Sequence, residues 1–341
     1  MSMAPKIVLH VGAPKTGSTY LQRKLRANRD RLRDHGIYIP VLPLVEKMAV
    51  NAKLLATALS QQPSLSFQRA FPEIDVATLN PRRVLVDLLD AWRPSDESVV
   101  LSAENMQPKH AHRLRELLPA TAPCCVVLFV RRQDRWVDSY YNQLIKTNDI
   151  DEDIETFVAR VCDNERGRFC CPDWDAHYEA WRDAFGSCNV VFYDEVMDDV
   201  FAAFMKAAGL QDISGLDDVE RAQVSLDNHQ LGYLRELQRP IAYFDFVRRR
   251  SASEQSAQCL GGPDSLSLLS TENLVRLRTR FESSNHQLLK ALGRSAGTGS
   301  LEIDVEHKVY CDLRQLYSSP EYARHRELAD ALYAGKVQRA Q

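Results

Sequence analysis

Four short apolar runs punctuate the first two thirds of the chain: KIVLHV (6–11), SVVLSAE (98–104), CCVVLFVRR (124–132) and CNVVFYDE (188–195). Each is continuous rather than alternating and breaks off at glycine or charge, the pattern of strands buried on both faces. Leu21, Leu25 and Leu32 follow the first run at helical spacing, and helix-like segments follow the others. Strands alternating with helices predict an α/β protein: a three-layer, P-loop-like fold with a central parallel sheet flanked by helices. Residues 41–96 read as an insertion of two helices, about 46–60 and 80–92, joined by the polar, proline-containing stretch SQQPSLSFQRAFPEID. Beyond about residue 200 the pattern turns helical, in FAAFMKAAGL, NHQLGYLRELQ and TENLVRLRTRFESSNHQLLKAL. Without a repeat or a convincing linker, the expectation is one domain over 1–294, its helical C-terminal part beginning near 200. SAGTGS (295–300) then opens an extension over 295–341.

The composition is compatible with a sizeable core: 341 residues, 45% of them hydrophobic. No apolar run approaches the roughly 18 residues that span a bilayer, and the first residues show no signal-peptide pattern, so the expectation is a soluble, cytoplasmic protein. A formal net charge of −3 argues against broad nucleic-acid binding, and an anionic ligand has to be met by a local cluster of positive groups. Eight cysteines without a CxxC pair suggest reduced thiols rather than a disulfide framework. Cys162, Cys170 and Cys171, with His177 nearby, lack the spacing of a zinc knuckle, and no metal is expected.

The first helix is entered through GAPKTGST (12–19). Gly12 and Gly17 keep the spacing of a Walker loop and Thr19 keeps its hydroxyl, so the backbone can form an anion nest at a helix N-terminus. Ser18, however, stands where the Walker lysine belongs, and a lysine occurs three positions earlier, at Lys15. A lysine inside the turn reaches only an anion bound against the loop itself, which suits a short phosphate-containing group better than a triphosphate tail. A tight turn with an incidental lysine is the alternative. Downstream, RRQDRWVDSYY (131–141) predicts an amphipathic helix: Trp136, Val137, Tyr140, Tyr141, Leu144 and Ile145 form its apolar stripe, while Arg132, Arg135, Ser139, Asn142 and Lys146 share the polar face.

PKTGST at 14–19 resembles the 5′-phosphosulfate loop of the sulfotransferase superfamily, enzymes that use 3′-phosphoadenosine 5′-phosphosulfate (PAPS). The eight-residue spacing from Arg131 to Ser139 is similar to that family's 3′-phosphate motif. VVFYDEVMDDVFAAFMKAAGL (190–210) looks like a later strand-and-helix segment of the family, and RFESSNHQLLKAL resembles the late helix of bacterial members. The resemblance implies that Lys15 contacts the 5′-phosphate and the bridging oxygen. It implies that Thr16, Gly17, Ser18 and Thr19 hold the phosphosulfate, that Arg131 and Ser139 grip the 3′-phosphate, and that Tyr193 belongs to the cofactor site. LSAENM resembles the segment that carries the glutamate base of the polysaccharide sulfotransferases, which makes Glu104 the implied base and places the chain nearer to them than to the cytosolic small-molecule enzymes. The KGxxGxW segment and the histidine motif of the cytosolic animal enzymes are not evident; Arg248 to Arg250 with LGGP (260–263) reads as a basic helix end instead.

The implied activity is sulfuryl transfer from PAPS to a hydroxyl of a carbohydrate or glycan-like acceptor, leaving 3′-phosphoadenosine 5′-phosphate, without a metal. Ser102, Asn105 and His110 are candidate acceptor contacts. Phe67, Arg69, Arg82, Arg83, Tyr243, Phe244 and Arg248 supply aromatic and basic groups in the segments expected to line its site. His110 and His112 are second choices for the base and are otherwise surface residues; His10, on a buried strand, reads as a satisfied core histidine. A P-loop kinase of a small molecule and an inactive nucleotide-binding homologue stay open as alternatives, and so does the oligomeric state.

Overall fold

The computed structural model of the chain describes residues 5–42, 52–63, 67–68, 71–147, 149–163, 171–211, 213–219, 267–295, 301–306, 320 and 323. NHQLGYLRELQ, Arg69, Cys170, Tyr243, Phe244, Arg248 to Arg250 and LGGP lie outside them, as does the start of the helix expected from 46.

Strand β1 (Ile7–Gly12) is buried along its whole length. It leads into α1 (Ser18–Ala27), whose Leu21 and Leu25 fall one turn apart and are fully buried, each contributing about 2 kcal/mol by leaving water. The Asn28 side chain donates to the Lys24 carbonyl at 2.9 Å and closes that helix; α2 (Arg29–Asp34) and the short β2 (Ile37–Tyr38) follow. The insertion supplies α3 (Lys53–Ser60) and α4 (Pro81–Leu89). Pro81 is preset for the first turn of α4, and Asn80 accepts from the amides of Arg82 and Arg83. Next come β3 (Ser98–Ser102), α5 (Ala111–Leu117), β4 (Cys124–Val130), α6 (Gln133–Thr147), α7 (Ile154–Cys162), α8 (Trp174–Phe185), β5 (Asn189–Phe192), α9 (Val200–Ala207) and α10 (Thr271–Ala291). Aspartates start three of these helices: Asp153, Asp173 and Asp199 accept from the amides of Thr156, Ala176 and Ala202.

The strands make one five-stranded sheet in the order β2-β3-β1-β4-β5, every pair parallel. The expected α/β fold, a parallel sheet flanked by helices, is therefore the fold observed. Val8, Val100, Val127, Phe129 and Val191 pack with Leu21 and Leu25 of α1 and Phe201, Phe204 and Met205 of α9 into one apolar cluster. Ile7, Leu9, Leu101, Val126 and Leu128, at the alternate strand positions, are equally buried. With β1 in the middle and His10 opposite Ser102, the segments leaving β1, β3, β4 and β5 all emerge at the carboxyl edge, where parallel sheets bind ligands.

The chain divides into two compact units: 1–132 with 166–223 and 281–302, and 133–165 with 224–280 and 303–341. The first holds the whole sheet. In the second, the predicted stripe of α6 is buried at Trp136, Val137, Tyr141, Leu144 and Ile145. Tyr141 stacks near Phe157 of α7 and donates its hydroxyl to the Glu152 carbonyl at 2.9 Å, and Asp138 accepts from the Ser267 hydroxyl at 2.9 Å. Among the described residues no helix is long and apolar enough to cross a membrane.

Candidate active site

The loop between β1 and α1 is built on left-handed backbone. Gly12, Lys15 and Gly17 have φ of 133°, 68° and 87°, and interleaving such residues with ordinary ones turns successive N–H groups toward one side, the geometry of an anion nest. The N-terminus of α1 begins immediately after it, at Ser18, and adds the positive end of its dipole. Lys15 adopts a conformation that costs a non-glycine residue about 1 kcal/mol. The turn is closed from within: buried Thr16 donates its hydroxyl to the Ala13 carbonyl at 2.9 Å. Gly17 has no freedom to change, since a Cβ there would lie 2.5 Å from the ring of Tyr193. Tyr193, the first residue after β5, thus packs against the loop, while Thr19 sits half-buried in the first turn of α1.

Glu104 stands two residues beyond β3, the strand beside β1, and its Oε2 accepts a hydrogen bond of 2.5 Å from the Ser18 hydroxyl. The Lys15 amine is drawn into the same place. Burial pushes it down to about 8, with Glu104 pulling it up and Arg131 pressing it further down. Arg131, the first residue after β4, donates to the Lys15 carbonyl at 3.0 Å. It lies 5.1 Å over the Tyr193 ring and its Nε is 3.7 Å from Asp194. Asp194 also accepts from the Arg132 amide at 2.9 Å, and the indole of buried Trp174 donates to the Arg131 carbonyl at 2.7 Å. Loop, glutamate, arginine and tyrosine from four different strand ends are therefore one connected group.

Other expected residues are placed elsewhere. Ser102 is 1% exposed and its hydroxyl is occupied, lying 2.7 Å from His10 Nδ1 and accepting from Gln22 at 3.0 Å. It links strand to helix and is not open to an acceptor. His10 is the core histidine expected, pushed down to about 4 by burial and hence neutral. His110, expected on the surface, is buried in the turn 108–110, where its Nδ1 accepts from the Gln107 amide at 3.2 Å. Burial foremost, with neighbouring Lys109, holds it near about 4. Of the presumed acceptor-lining residues, Phe67 is buried against Phe71 rather than offered to a sugar, while Arg82 and Arg83 are exposed at the start of α4. Asn105 is half-buried in the turn beside Glu104. Ser139 lies half-buried on α6 in the second unit. His177 places its Nε2 3.0 Å from the Cys171 carbonyl, and no group of three or more metal-ligating side chains occurs among the described residues.

Sequence reasoning missed the bracing roles of Asp194 and Trp174. It also missed Lys53, whose only signal was a lysine within the apolar run AKLLATAL. No protein-family model matches the chain, and no curated protein does. Among solved structures, a sulfotransferase from Alicyclobacillus acidocaldarius resembles it with a TM-score of 0.45 at 17% identity, over 69% of this chain and 92% of that one.

Proposed function

We propose that the chain is a PAPS-dependent sulfotransferase that transfers the sulfuryl group to a hydroxyl of a carbohydrate or glycan-like acceptor. The observation that carries the reading is the convergence of the Lys15 amine, the Glu104 carboxylate and the Arg131 guanidinium on one left-handed loop. Sulfuryl transfer needs a base for the acceptor proton and positive charge at the departing phosphate, and these groups answer both needs without a metal. Glu104 takes the proton as the acceptor oxygen attacks sulfur in line. The bond between sulfur and the 5′-phosphate oxygen breaks, and Lys15 with the nest amides stabilises the charge left there, a contribution of about 3 kcal/mol for a preorganised donor. Arg131 keeps the loop in shape through the Lys15 carbonyl and, with Ser139, is assigned to the 3′-phosphate. Tyr193, Gly17 and Thr19 complete the cofactor surface, and Asn105 is left as the acceptor-side candidate.

Ser18 has one hydroxyl proton, now given to Glu104. To serve the phosphosulfate it must turn away, which frees Oε2 to receive the acceptor proton only when donor is bound. The test is transfer of radiolabelled sulfate from PAPS to an acceptor panel, by wild type and by the Lys15→Ala and Ser139→Ala proteins. Loss in both variants is expected, and undiminished transfer in both would refute the assignment.

A further inference from the structure

Lys53 is the first residue of α3 and is only 7% exposed. A buried amine is expensive, and at the positive end of a helix dipole it is more so. The packing of α3 does not ask for it, because Leu54, Leu55, Ala56 and Ala58 supply the buried apolar surface. What fixes its place is the end of β3: the Ala52 amide donates to the Ser102 carbonyl at 3.2 Å, so α3 begins two residues from Glu104. Burial holds the Lys53 amine below its ordinary range, and Glu104 is the group that pulls the other way. The same carboxylate acts in the same sense on Lys15.

Two buried amines, from the glycine loop and from the insertion, therefore lie within electrostatic range of one carboxylate. They are not redundant in the proposed reaction. A strongly anionic donor seated on the loop takes up the charge of Lys15 and at the same time repels the Glu104 side chain. A cation on a separate helix, outside the glycine loop, offsets that repulsion. We propose that Lys53 is a positioning residue of the active site, a second buried cation that keeps the Glu104 carboxylate in place while the donor occupies Lys15. The inference rests on the reading of Glu104 as the base.

The test has two arms on the full chain. In the first, the Lys53 ε-methylene resonances are followed by NMR against pH in wild type and in Glu104→Gln. Loss of the carboxylate is expected to move the Lys53 titration further down, and an unchanged titration overturns the coupling whether or not the protein transfers sulfate. In the second, sulfate release from radiolabelled PAPS, with water as acceptor, is measured beside calorimetric binding of 3′-phosphoadenosine 5′-phosphate. Lys53→Met is expected to lower kcat about tenfold or more at unchanged nucleotide affinity, with Lys53→Arg recovering much of the rate. Wild-type turnover in Lys53→Met, or no better rate in Lys53→Arg, overturns the proposal. If Lys53→Met does not fold, the first arm and Lys53→Arg decide. A wild type that neither binds the nucleotide nor releases sulfate defeats the sulfotransferase reading instead, and the first arm still reports on the pair.

Discussion

Strand β3 carries a glutamate at each end, and the two are held in opposite ways. Glu97, just before the strand, is 1% exposed and directly bonded: Arg33 Nε lies at 2.9 Å, and the guanidinium and the amide of Arg93 close on the same carboxylate. Burial alone would raise it, but the two arginines outweigh burial and hold it down to about 2. Glu104, just after the strand, receives one rotatable hydroxyl and the more distant fields of two amines. A carboxylate saturated by fixed guanidinium groups has nothing left to offer a substrate. One held by a hydroxyl that can turn, and by charges at a distance, can exchange its partner and take a proton. On the proposed reading the carboxyl edge of the sheet serves chemistry and the amino edge stability.

Substitution should separate the two ends. Glu104→Gln is expected to reduce sulfuryl transfer by about 10²- to 10⁴-fold with little change in melting temperature or nucleotide affinity; unchanged turnover would remove Glu104 from the mechanism. Acid should then strike the carboxyl side first. His10, neutral beneath Ser102 with its folded value near about 4, costs nothing above the ordinary histidine range of about 6.5. Stability falls as pH drops from there toward 4, by up to about 3 kcal/mol. Glu97 contributes in full above the ordinary carboxylate range and is lost only as pH falls through about 2. Thermal melts between pH 7 and 5 should show a slope that is reduced in His10→Asn, buried His110 and His177 supplying the remainder, and that persists in full in Glu97→Gln; equal slopes in all three proteins would remove His10 from the titration.

Glu97→Gln itself should lower stability by about 2 kcal/mol, because two charge-assisted contacts are weakened beside half-exposed arginines. Transfer per folded molecule should stay unchanged. The smallest effect is expected at Ser18→Ala, which removes one hydrogen bond from Glu104, worth about 1 kcal/mol, and leaves the nest amides in place. Turnover should change by about tenfold or less, and a loss as large as that of Glu104→Gln would make the hydroxyl, not the carboxylate, the critical group.

The four long strands and the loop were legible because each rests on a local cause. A strand buried on both faces leaves a continuous apolar run, and a left-handed turn leaves glycines at Gly12 and Gly17. Strand β2, only two residues long, leaves no periodicity to read. The site was legible in its chemistry but not in its burial. Ser102 looked available because it stands two residues from Glu104, and His110 because it read as a surface residue, yet His10 with Gln22 takes up the one and the turn at 108–110 encloses the other. Lys53 was passed over for the complementary reason. Its burial arises from the docking of α3 on the end of β3, a contact between residues about fifty positions apart that no local pattern encodes.

The most direct test of the central claim is isothermal titration of the wild-type chain with 3′-phosphoadenosine 5′-phosphate and, separately, with ATP and magnesium, repeated on Lys15→Ala. The account predicts binding of the former with clear preference over the latter, and a loss of about a hundredfold in Lys15→Ala. Equal or tighter binding of ATP with magnesium, or an affinity for 3′-phosphoadenosine 5′-phosphate that does not depend on Lys15, would contradict it.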